Sequence, residues 1–462
     1  MDLFWHRDDL RVSDNRGLAA AADAVPCYVL DPSLFEYAGA ARMRFMLDAL
    51  ESLRADYRAL GSDLLVVEGD PVDVIPELAD EYGVERVVHT KAYSGLGRER
   101  DARVESALAE AGYDVRVEPD DLLHEPGTIT TNQGDPYQVY SYFWKKWRDR
   151  AKDDPLPAPD ADALANVSGD PLPALEELGF DEPDAEIPEA GTDAARERLA
   201  AFCDGPIYAY DEHRDVPAKD GTSRVSQDLS WGTLGIREAY AETEAAMVAA
   251  SDDSEREHVE SYQSELAWRE FYTHVLYFNP GVVTENYKDY ENDVAWRNDP
   301  EEIAAWKAGG TGYPIVDAGM RQLREEAYVH NRVRMVVAAF LTKDLCCDWR
   351  VGYDHFRTHL VDHNTANDNG GWQWAASTGT DAQPYFRIFN PMTQGERHDP
   401  DADYIAEFVP ELAGVPADVV HSWHELDEAT RNEHAPDYPA PIVDHAERRE
   451  EAIAMFEAAR GD

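Results

Sequence analysis

The chain has 462 residues, with 93 Asp and Glu side chains against 42 Lys and Arg, so its formal net charge is −51. Hydrophobic residues make up 43% and aromatic residues 10%, which is enough for a buried core and excludes a disordered acidic tail. Acidic residues occur in every segment, which predicts a solvated acidic surface typical of salt adaptation. Concentrated salt screens charges within about 3 Å, so the net charge does not decide the sign of any one cleft.

Several classes of protein are disfavoured by simple features of the chain. It has no run of about eighteen apolar residues, so we expect no membrane-spanning helix. It begins directly on a strand-like pattern, without the apolar segment of a secretory signal. The four cysteines form no C-x-x-C pair, which argues against disulfides or structural zinc. The histidine pairs at 359–363 and 421–424 lack a third ligand, so no metal is expected. We therefore expect a cytoplasmic monomer.

The first 130 residues alternate apolar strands with helices. Strands are predicted at 3–5, 25–30, 63–67, 86–88 and 115–117, all as buried strands, and helices at 41–60, 74–82 and 98–111. This alternation predicts an α/β domain over 1–130, with a Rossmann-like parallel sheet between helices. The only Gly-x-Gly, at 95–97, is followed by Arg100 where the dinucleotide fingerprint needs glycine, so that fingerprint fails.

Composition divides the rest of the chain. Residues 151–200 hold 14 acidic side chains, 3 basic ones and 7 prolines, so we assign 131–200 to an acidic, proline-rich linker. From residue 201 strand signals nearly vanish, and helical patterns cover 258–277, 315–326, 327–350 and 446–459. These patterns predict an all-α domain over 201–462, which agrees with the two or three domains expected at this length.

Polar and aromatic side chains share helix faces in the second half. Glu265, Trp268 and Arg269 lie on one face at helical spacing, and Trp372 and Trp374 share a glycine-flanked segment. Tryptophan most often packs a helical core. A carboxylate and a guanidinium beside it are costly inside a plain core, however. The pattern therefore favours the floor of a cleft that binds a polar aromatic ligand.

Two further segments offer candidate binding groups. Asn331, Arg334 and Met335 share a helix face in a locally basic stretch, where Arg334 either pairs with a carboxylate or serves a ligand. The 220–226 loop offers hydroxyls and backbone N–H groups ahead of a helix, which suits a phosphate. Taken alone, that loop is better explained as an ordinary turn that caps the helix.

Six segments together identify a family. They lie in order along the chain at 263–272, 311–317, 320–323, 330–335, 369–374 and 387–391. With these motifs the sequence resembles the photolyase/cryptochrome family along nearly its whole length, and within it the class I cyclobutane pyrimidine dimer photolyases. The resemblance implies an antenna domain, a helical FAD-binding domain, and light-driven repair of UV-damaged DNA.

The resemblance implies which residues hold FAD. Tyr210 and the 222–226 loop correspond to groups around the phosphates and ribityl chain, and Tyr262 to an aromatic residue near the flavin. Arg334 and Asp362 resemble an ion pair beside the isoalloxazine ring. The implied FAD set is Tyr210, Thr222, Ser223, Arg224, Val225, Ser226, Tyr262, Arg269, Arg334, Asp362, His363, Asn364 and Asp368.

The resemblance also implies where the lesion binds and how the flavin is reduced. A damaged base pair is flipped out, at least cost when it already pairs poorly, into a pocket of Glu265, Trp268, Asn331, Met335 and Trp374. The excited reduced flavin donates an electron, the cyclobutane ring splits, and the electron returns, while Glu265 hydrogen-bonds the carbonyl edge as charge develops. The implied electron relay is Trp372, Trp349 and Trp296, with Trp306 interpreted as structural, and the implied DNA contacts are Arg214, Arg332 and Gln394.

Two positions depart from the photolyase pattern. Asp368 stands near flavin N5 where most photolyases have Asn, and Asn364 replaces a family Asp. Plant cryptochromes, which are signalling receptors, have Asp at the first position, so a blue-light photoreceptor is the alternative function. A flavin redox protein without DNA is a third. Trp268 and Met335 are retained from the repair pocket, which makes repair the preferred prediction.

The N-terminal domain resembles the antenna domain of the family. The Asn-Glu pair of the folate-binding subtype is replaced by Leu96 and Gly97, and the segments 96–101 and 135–147 resemble the deazaflavin subtype. We therefore expect a second chromophore and favour 8-hydroxydeazaflavin over folate. Phe35 and Tyr37 are candidate wall residues of its pocket, and the alternative is that they belong to the hydrophobic core.

Overall fold

Five strands form one parallel sheet in the computed structural model, which describes residues 1–461. The sheet order is β3 (Leu65–Glu68), β2 (Ala24–Leu30), β1 (Asp2–His6), β4 (Arg86–Thr90), β5 (Asp114–Glu118). Every neighbouring pair is parallel. Strand order reverses between β1 and β4, as in doubly wound sheets that bind ligands at that point. The predicted α/β fold is confirmed.

Helices cover both faces of this sheet. They are α1 (Arg16–Ala20), α2 (Ala40–Ala59), α3 (Pro71–Tyr82) and α4 (Gly95–Ala111). Phe4 belongs to the core beneath α2, and its neighbours Leu3 and Trp5 belong to the core beneath α3 and α4. Successive side chains of a strand point to opposite faces, so β1 is apolar throughout. The prediction of a buried fifth strand is wrong: β5 is the sheet edge, and Val117 is 38% exposed.

Residues 131–200, predicted as a linker, contain one α-helix and most of a second, and from residue 201 the described chain is helical, as predicted. The α-helices after residue 130 are α5 (Tyr140–Arg148), α6 (Thr192–Cys203), α7 (Tyr210–His213), α8 (Ser226–Trp231), α9 (Ile236–Ala249), α10 (Asp253–Phe278), α11 (Pro300–Ala308), α12 (Pro314–Glu326), α13 (Asn331–Ala339), α14 (Trp349–His359), α15 (Thr365–Ala376), α16 (Pro391–His398), α17 (Asp403–Phe408), α18 (Ala417–His421), α19 (Glu428–His434) and α20 (His445–Arg460). Among residues 1–461, no helix is both long and apolar enough to cross a membrane.

The single helix predicted over 327–350 is wrong. Ala327 takes a left-handed conformation (φ +49°) and ends α12. The next helix, α13, runs into a π-helical turn at Phe340–Asp344 and stops before Cys346, which is also left-handed (φ +47°). A new helix then starts at Trp349, where the Asp348 side chain accepts the Arg350 N–H. Apolar periodicity continues across these breaks, which is why the pattern predicted one helix.

A buried network of charges joins the sheet to the helical part. Arg237 on α9 is 1% exposed. Its guanidinium donates to Asp14 Oδ1 at 2.6 Å and to Asp120 Oδ1 at 2.6 Å, and also to the backbone oxygens of both residues. Arg11 pairs with the other oxygen of Asp120 and donates to the Gly232 carbonyl at 3.0 Å. Buried charges need such complete pairing, since an unpaired one is costly.

We expect Arg237→Met to destabilise the protein by about 3–5 kcal/mol, because it leaves two buried carboxylates without their shared cation. The measurement is denaturant unfolding in concentrated salt. The control is Arg103→Met, which breaks the Arg103–Asp70 pair, where the side chains are 61% and 47% exposed; such a pair contributes at most about 1 kcal/mol. Equal losses in the two variants would contradict the assigned role of Arg237.

Candidate functional site

An ion pair lies at the centre of the predicted FAD site. Arg334 Nη2 on α13 is 2.6 Å from Asp362 Oδ2, just before α15. The Ser226 hydroxyl donates to the same oxygen at 2.6 Å. The other oxygen, Asp362 Oδ1, is buried and has no hydrogen-bond partner among the described residues. A buried carboxylate oxygen in that state calls for a donor from a ligand, so these residues fit a cofactor that carries N–H or O–H groups.

The two residues that depart from the family pattern lie beside this pair. Asp368 Oδ2 is 2.5 Å from His363 Nδ1, and its Oδ1 is 3.7 Å from Arg334 Nη1. Asn364 caps α15, since its side-chain oxygen accepts the Asn367 N–H at 3.1 Å. Five of the implied FAD residues therefore form one connected set of side chains: Ser226, Arg334, Asp362, His363 and Asp368.

The 222–226 loop and two tyrosines form the adjoining wall. The Tyr262 hydroxyl donates to Ser223 Oγ at 2.9 Å, and the Tyr262 and Tyr210 rings meet edge to face with centroids 5.3 Å apart. Arg224 is left-handed (φ +52°) and stacks its guanidinium 3.9 Å from the centre of the Tyr328 ring. Thr222 contacts the Tyr328 hydroxyl, and Val225 is buried just ahead of α8.

Arg269 serves a different contact from its helix neighbours. Its guanidinium pairs with the Asp121 carboxylate and donates to the Asp121 and Leu229 carbonyl oxygens at 2.8 and 3.0 Å. It therefore ties α10 to the segment that leaves the sheet. Its FAD role stays a prediction, carried by position alone.

The predicted lesion pocket begins one turn earlier on α10. Trp268 stacks against Tyr140 of α5 with ring centroids 3.6 Å apart, and Glu265 pairs with Arg214 at 2.8 Å. Burial raises the pKa of Glu265 above its ordinary value, although Arg214 opposes the shift. Trp374 lies on α15 with its ring 6.3 Å from that of Phe389.

The two α13 residues predicted for that pocket differ in exposure. Asn331 begins α13 and is exposed, and Met335 is half-buried one turn later. Sequence reasoning missed Tyr140. Its aromatic segment resembles an antenna signature, and nothing local to it indicates a contact with α10.

The predicted DNA-contacting arginines are both paired with carboxylates. Arg332 donates to Asp215 at 3.0 and 2.6 Å, while Arg214 holds Glu265. The Asp215 residue itself is fixed by its backbone oxygen, which lies 2.9 Å from His398 Nδ1. Gln394 is half-buried on α16, four residues before His398. Sequence reasoning missed Asp215, which is separated by 117 positions from the arginine that it binds.

The three tryptophans of the predicted relay are each packed by other rings. Trp372 contacts Phe356 at 5.1 Å and Trp306 at 6.1 Å between centroids. Trp349 contacts Tyr353 at 6.1 Å, and Trp296 contacts Phe456 at 5.7 Å. Within residues 1–461, no direct ring contact joins two of the three. The fully buried Trp306 fits its structural interpretation.

A cavity of about 410 Å³ lies between the sheet and the helical part. Both predicted antenna residues, Phe35 and Tyr37, line it, as do Leu96 and Gly97. His363 and Asn364 of the helical part line it as well. Residues 135–147 do not, so the antenna-like signature in that segment has no counterpart in the wall of this cavity.

Glu270 fixes the position of α10, the helix that carries Glu265 and Trp268. Its carboxylate accepts the backbone N–H groups of Leu123 and His124, each at 3.0 Å. Burial raises the pKa of Glu270 to about 8, although these hydrogen bonds oppose the shift. A titrating group thus sits at the joint between α10 and the chain leaving the sheet.

We expect the Glu270 contribution to stability to fall as pH rises from about 4.5 towards 8. The unfolded carboxyl loses its proton near 4.5 and the folded one near 8, so between them the folded state binds more protons and the unfolding free energy decreases with pH. In denaturant titrations over this pH range, the unfolding free energy of the wild type should fall by at most about 4 kcal/mol more than that of Glu270→Gln. The control is Glu257→Gln, an exposed position on the same helix, which should keep the pH profile of the wild type. If Glu270→Gln also shows the wild-type pH profile, the assigned role of Glu270 is refuted.

Comparison with known proteins places these features in a family. Residues 2–160 match the family model described as DNA photolyase, and residues 262–458 match the FAD binding domain of DNA photolyase. A deoxyribodipyrimidine photo-lyase of Halobacterium salinarum is 59% identical, with 100% of both chains covered.

Two solved structures share the fold. A bacterial class III photolyase from Agrobacterium tumefaciens has a TM-score of 0.92 at 34% identity, covering 100% of this chain and 98% of that one. An archaeal photolyase from Sulfolobus tokodaii with two FAD molecules has a TM-score of 0.84 at 30% identity, covering 99% and 100%. With identity and coverage of this extent, the chain belongs to the DNA photolyase family.

Proposed function

We propose that this protein is a deoxyribodipyrimidine photo-lyase, an enzyme that uses light and FAD to split cyclobutane pyrimidine dimers in damaged DNA. The observation that carries the proposal is the link between α10 and the cradle around Arg334 and Asp362. The helix that carries Glu265 and the stacked Trp268 also carries Tyr262, which donates to Ser223, and Ser226 of the same loop donates to Asp362. The full-length relative at 59% identity is named for this repair reaction, which favours repair over the photoreceptor alternative.

The cradle residues bind and orient the cofactor. Bound FAD supplies the light-driven electron that the reaction needs. Arg334 and Asp362 neutralise one another, so the pair presents a fixed donor and acceptor without a net buried charge. The unpartnered Asp362 Oδ1 accepts a hydrogen bond from the ligand. Tyr210, Tyr262 and the 222–226 loop close the remaining side.

Glu265 and the aromatic side chains act on the lesion. Because burial raises the pKa of Glu265, the carboxyl group keeps its proton more readily than a surface glutamate and donates it in a hydrogen bond to a pyrimidine carbonyl. Arg214 fixes its orientation at 2.8 Å. Trp268 offers a flat apolar face, held in place by Tyr140, on which an unstacked pyrimidine packs and from which water is excluded.

The direct test is repair of a thymine-dimer oligonucleotide in concentrated salt, in light and in dark, by flavin-loaded protein. We expect thymines to be restored in light only. Trp268→Ala should weaken lesion affinity in concentrated salt more than Arg332→Ala does, since salt weakens phosphate contacts and leaves base stacking. Band-shift titration against undamaged DNA measures both affinities.

The matched control for this test is Trp423→Phe, which changes a fully buried tryptophan of the distant α18–α19 region. It should leave lesion affinity unchanged. Comparable losses for Trp268→Ala and Arg332→Ala would contradict the stacking role. Bound, reducible FAD without light-dependent repair would contradict the proposed function and favour the photoreceptor alternative.

We further propose that the 410 Å³ cavity binds a second chromophore, with 8-hydroxydeazaflavin favoured over folate. Its support is the cavity at the strand-order reversal and the aromatic walls Phe35 and Tyr37. Arg357 lies 3.8 Å from the centre of the Tyr37 ring, and Arg42 donates to the Tyr37 carbonyl. These cations suit a planar chromophore that carries acidic groups.

Protein that already carries one FAD is incubated separately with 8-hydroxydeazaflavin, a folate or further FAD. We expect only the deazaflavin to be retained through gel filtration in addition to the first FAD, seen as an added absorption band. Phe35→Ala should reduce that retention at least about tenfold, by loss of apolar contact in the cavity. The control is Phe386→Ala, which changes an aromatic side chain 53% exposed elsewhere. Retention of folate or of a second FAD instead would overturn the choice of chromophore.

A further inference from the structure

The interdomain cavity and the predicted FAD site meet at His363 and its neighbour Asn364. We propose that His363 and Asp368 form a proton relay that connects the Asp368 carboxyl group, at the FAD site, with solvent in the 410 Å³ cavity. This inference rests on the proposed function, since that function places FAD beside Asp368. It assigns to His363 a task beyond cofactor binding.

The geometry of the two side chains gives the relay its direction. His363 Nδ1 lies 2.5 Å from Asp368 Oδ2. An ionised carboxylate only accepts hydrogen bonds, so Nδ1 carries the proton and Nε2 is left as an acceptor. No residue among 1–461 hydrogen-bonds Nε2, and the ring lines the cavity. One end of the dyad therefore faces the FAD site and the other faces open space.

The surrounding groups keep the imidazole neutral while holding the carboxylate in place. Burial lowers the pKa of His363, and the cations of Arg42 and Arg357 add to this, against the opposing effect of Asp368. Arg334 stands 3.7 Å from the other Asp368 oxygen, and the Tyr353 ring is 5.8 Å from the His363 ring. A neutral imidazole with a free Nε2 is the form that takes up a proton from solvent.

The neighbours of Asp368 leave His363 as its route to solvent. Asp368 is largely buried, with 9% of its side chain exposed. Besides His363, its oxygens contact Arg334 and the Asn364 N–H at 3.3 Å. Neither arginine nor a backbone amide exchanges protons readily near neutral pH. Among the residues that the structure describes, the imidazole is the group that can pass one on.

The transfer balances as a simple exchange. A proton from solvent binds His363 Nε2, the Nδ1 proton moves to Asp368 Oδ2, and the carboxyl releases its proton towards the ligand. One proton enters at the cavity and one leaves at the FAD site. Solvent exchange then restores the Nδ1–H form of the ring. His363 acts through Asp368, so it is a positioning and relay residue.

The test is flash-induced proton uptake by protein that carries FAD but no second chromophore, so that the cavity holds solvent. A thiol supplies the electrons, and a pH-indicator dye in unbuffered solution follows the proton. We expect His363→Ala and His363→Gln to slow uptake at least about tenfold, the low end of what a positioned acid–base group contributes. Added imidazole should restore the rate of His363→Ala, because the cavity admits it, but not that of Asp368→Asn. His359→Ala, a half-buried histidine that bonds only its own helix, is the control.

Unchanged uptake in both His363 variants, or slow uptake that imidazole does not restore, would overturn the relay. If the variants lose FAD, the flavin-free protein still decides: the ¹⁵N shifts of the His363 ring should report the Nδ1–H tautomer in wild type, and the Nε2–H tautomer would overturn the proposal. Light-dependent repair is measured on the same wild-type sample. If the wild type repairs DNA but proton uptake does not depend on His363, the relay alone is refuted. If proton uptake depends on His363 but the wild type does not repair DNA, the proposed function alone is refuted.

Discussion

The contact of Arg237 with Asp14 and Asp120 holds the sheet and the helical part in one fixed relation. All three side chains are buried, so their desolvation is offset only while the two parts stay together. Everything that lies between those parts depends on this arrangement. Both parts contribute residues to the walls of the interdomain cavity. A second ion pair between the two parts, Arg269 with Asp121, lies at the edge of this cavity.

The proposed DNA-contacting arginines of this strongly acidic chain are already paired with carboxylates. At the proposed DNA face, Arg214 and Arg332 are each held by a carboxylate, so a DNA phosphate has to compete with an existing partner. Salt weakens both kinds of ion pair. Recognition in concentrated salt would therefore depend on the proposed pocket itself, where the stacked face of Trp268 makes contacts that do not rely on charge. Acidity at the surface and binding of a polyanion are compatible on this account.

Sequence patterns predicted the elements well where one periodicity governs a whole element. All five strands and their parallel pairing follow from apolar runs between helices. The burial predicted for the two edge strands, β3 and β5, was too high, because a place at the edge depends on strand order. The pattern failed at 327–350, where left-handed Ala327 and Cys346 break a continuous apolar face. Periodicity records which side chains are apolar, and it does not record where the backbone turns between them.

The sequence by itself determined the fold class, the family, and the placing of Glu265 and Trp268 on one helix, because these depend on spacing within a short segment. Only the tertiary structure decided their partners. Tyr140 contacts Trp268 and Asp215 binds Arg332, although each pair is far apart along the chain. Arg269 pairs with Asp121, whereas helical spacing had grouped it with Glu265 and Trp268. The short His363–Asp368 contact is local, but its meaning depends on a cavity built by both parts. Contacts between distant segments are set by how whole elements pack, which no local pattern encodes.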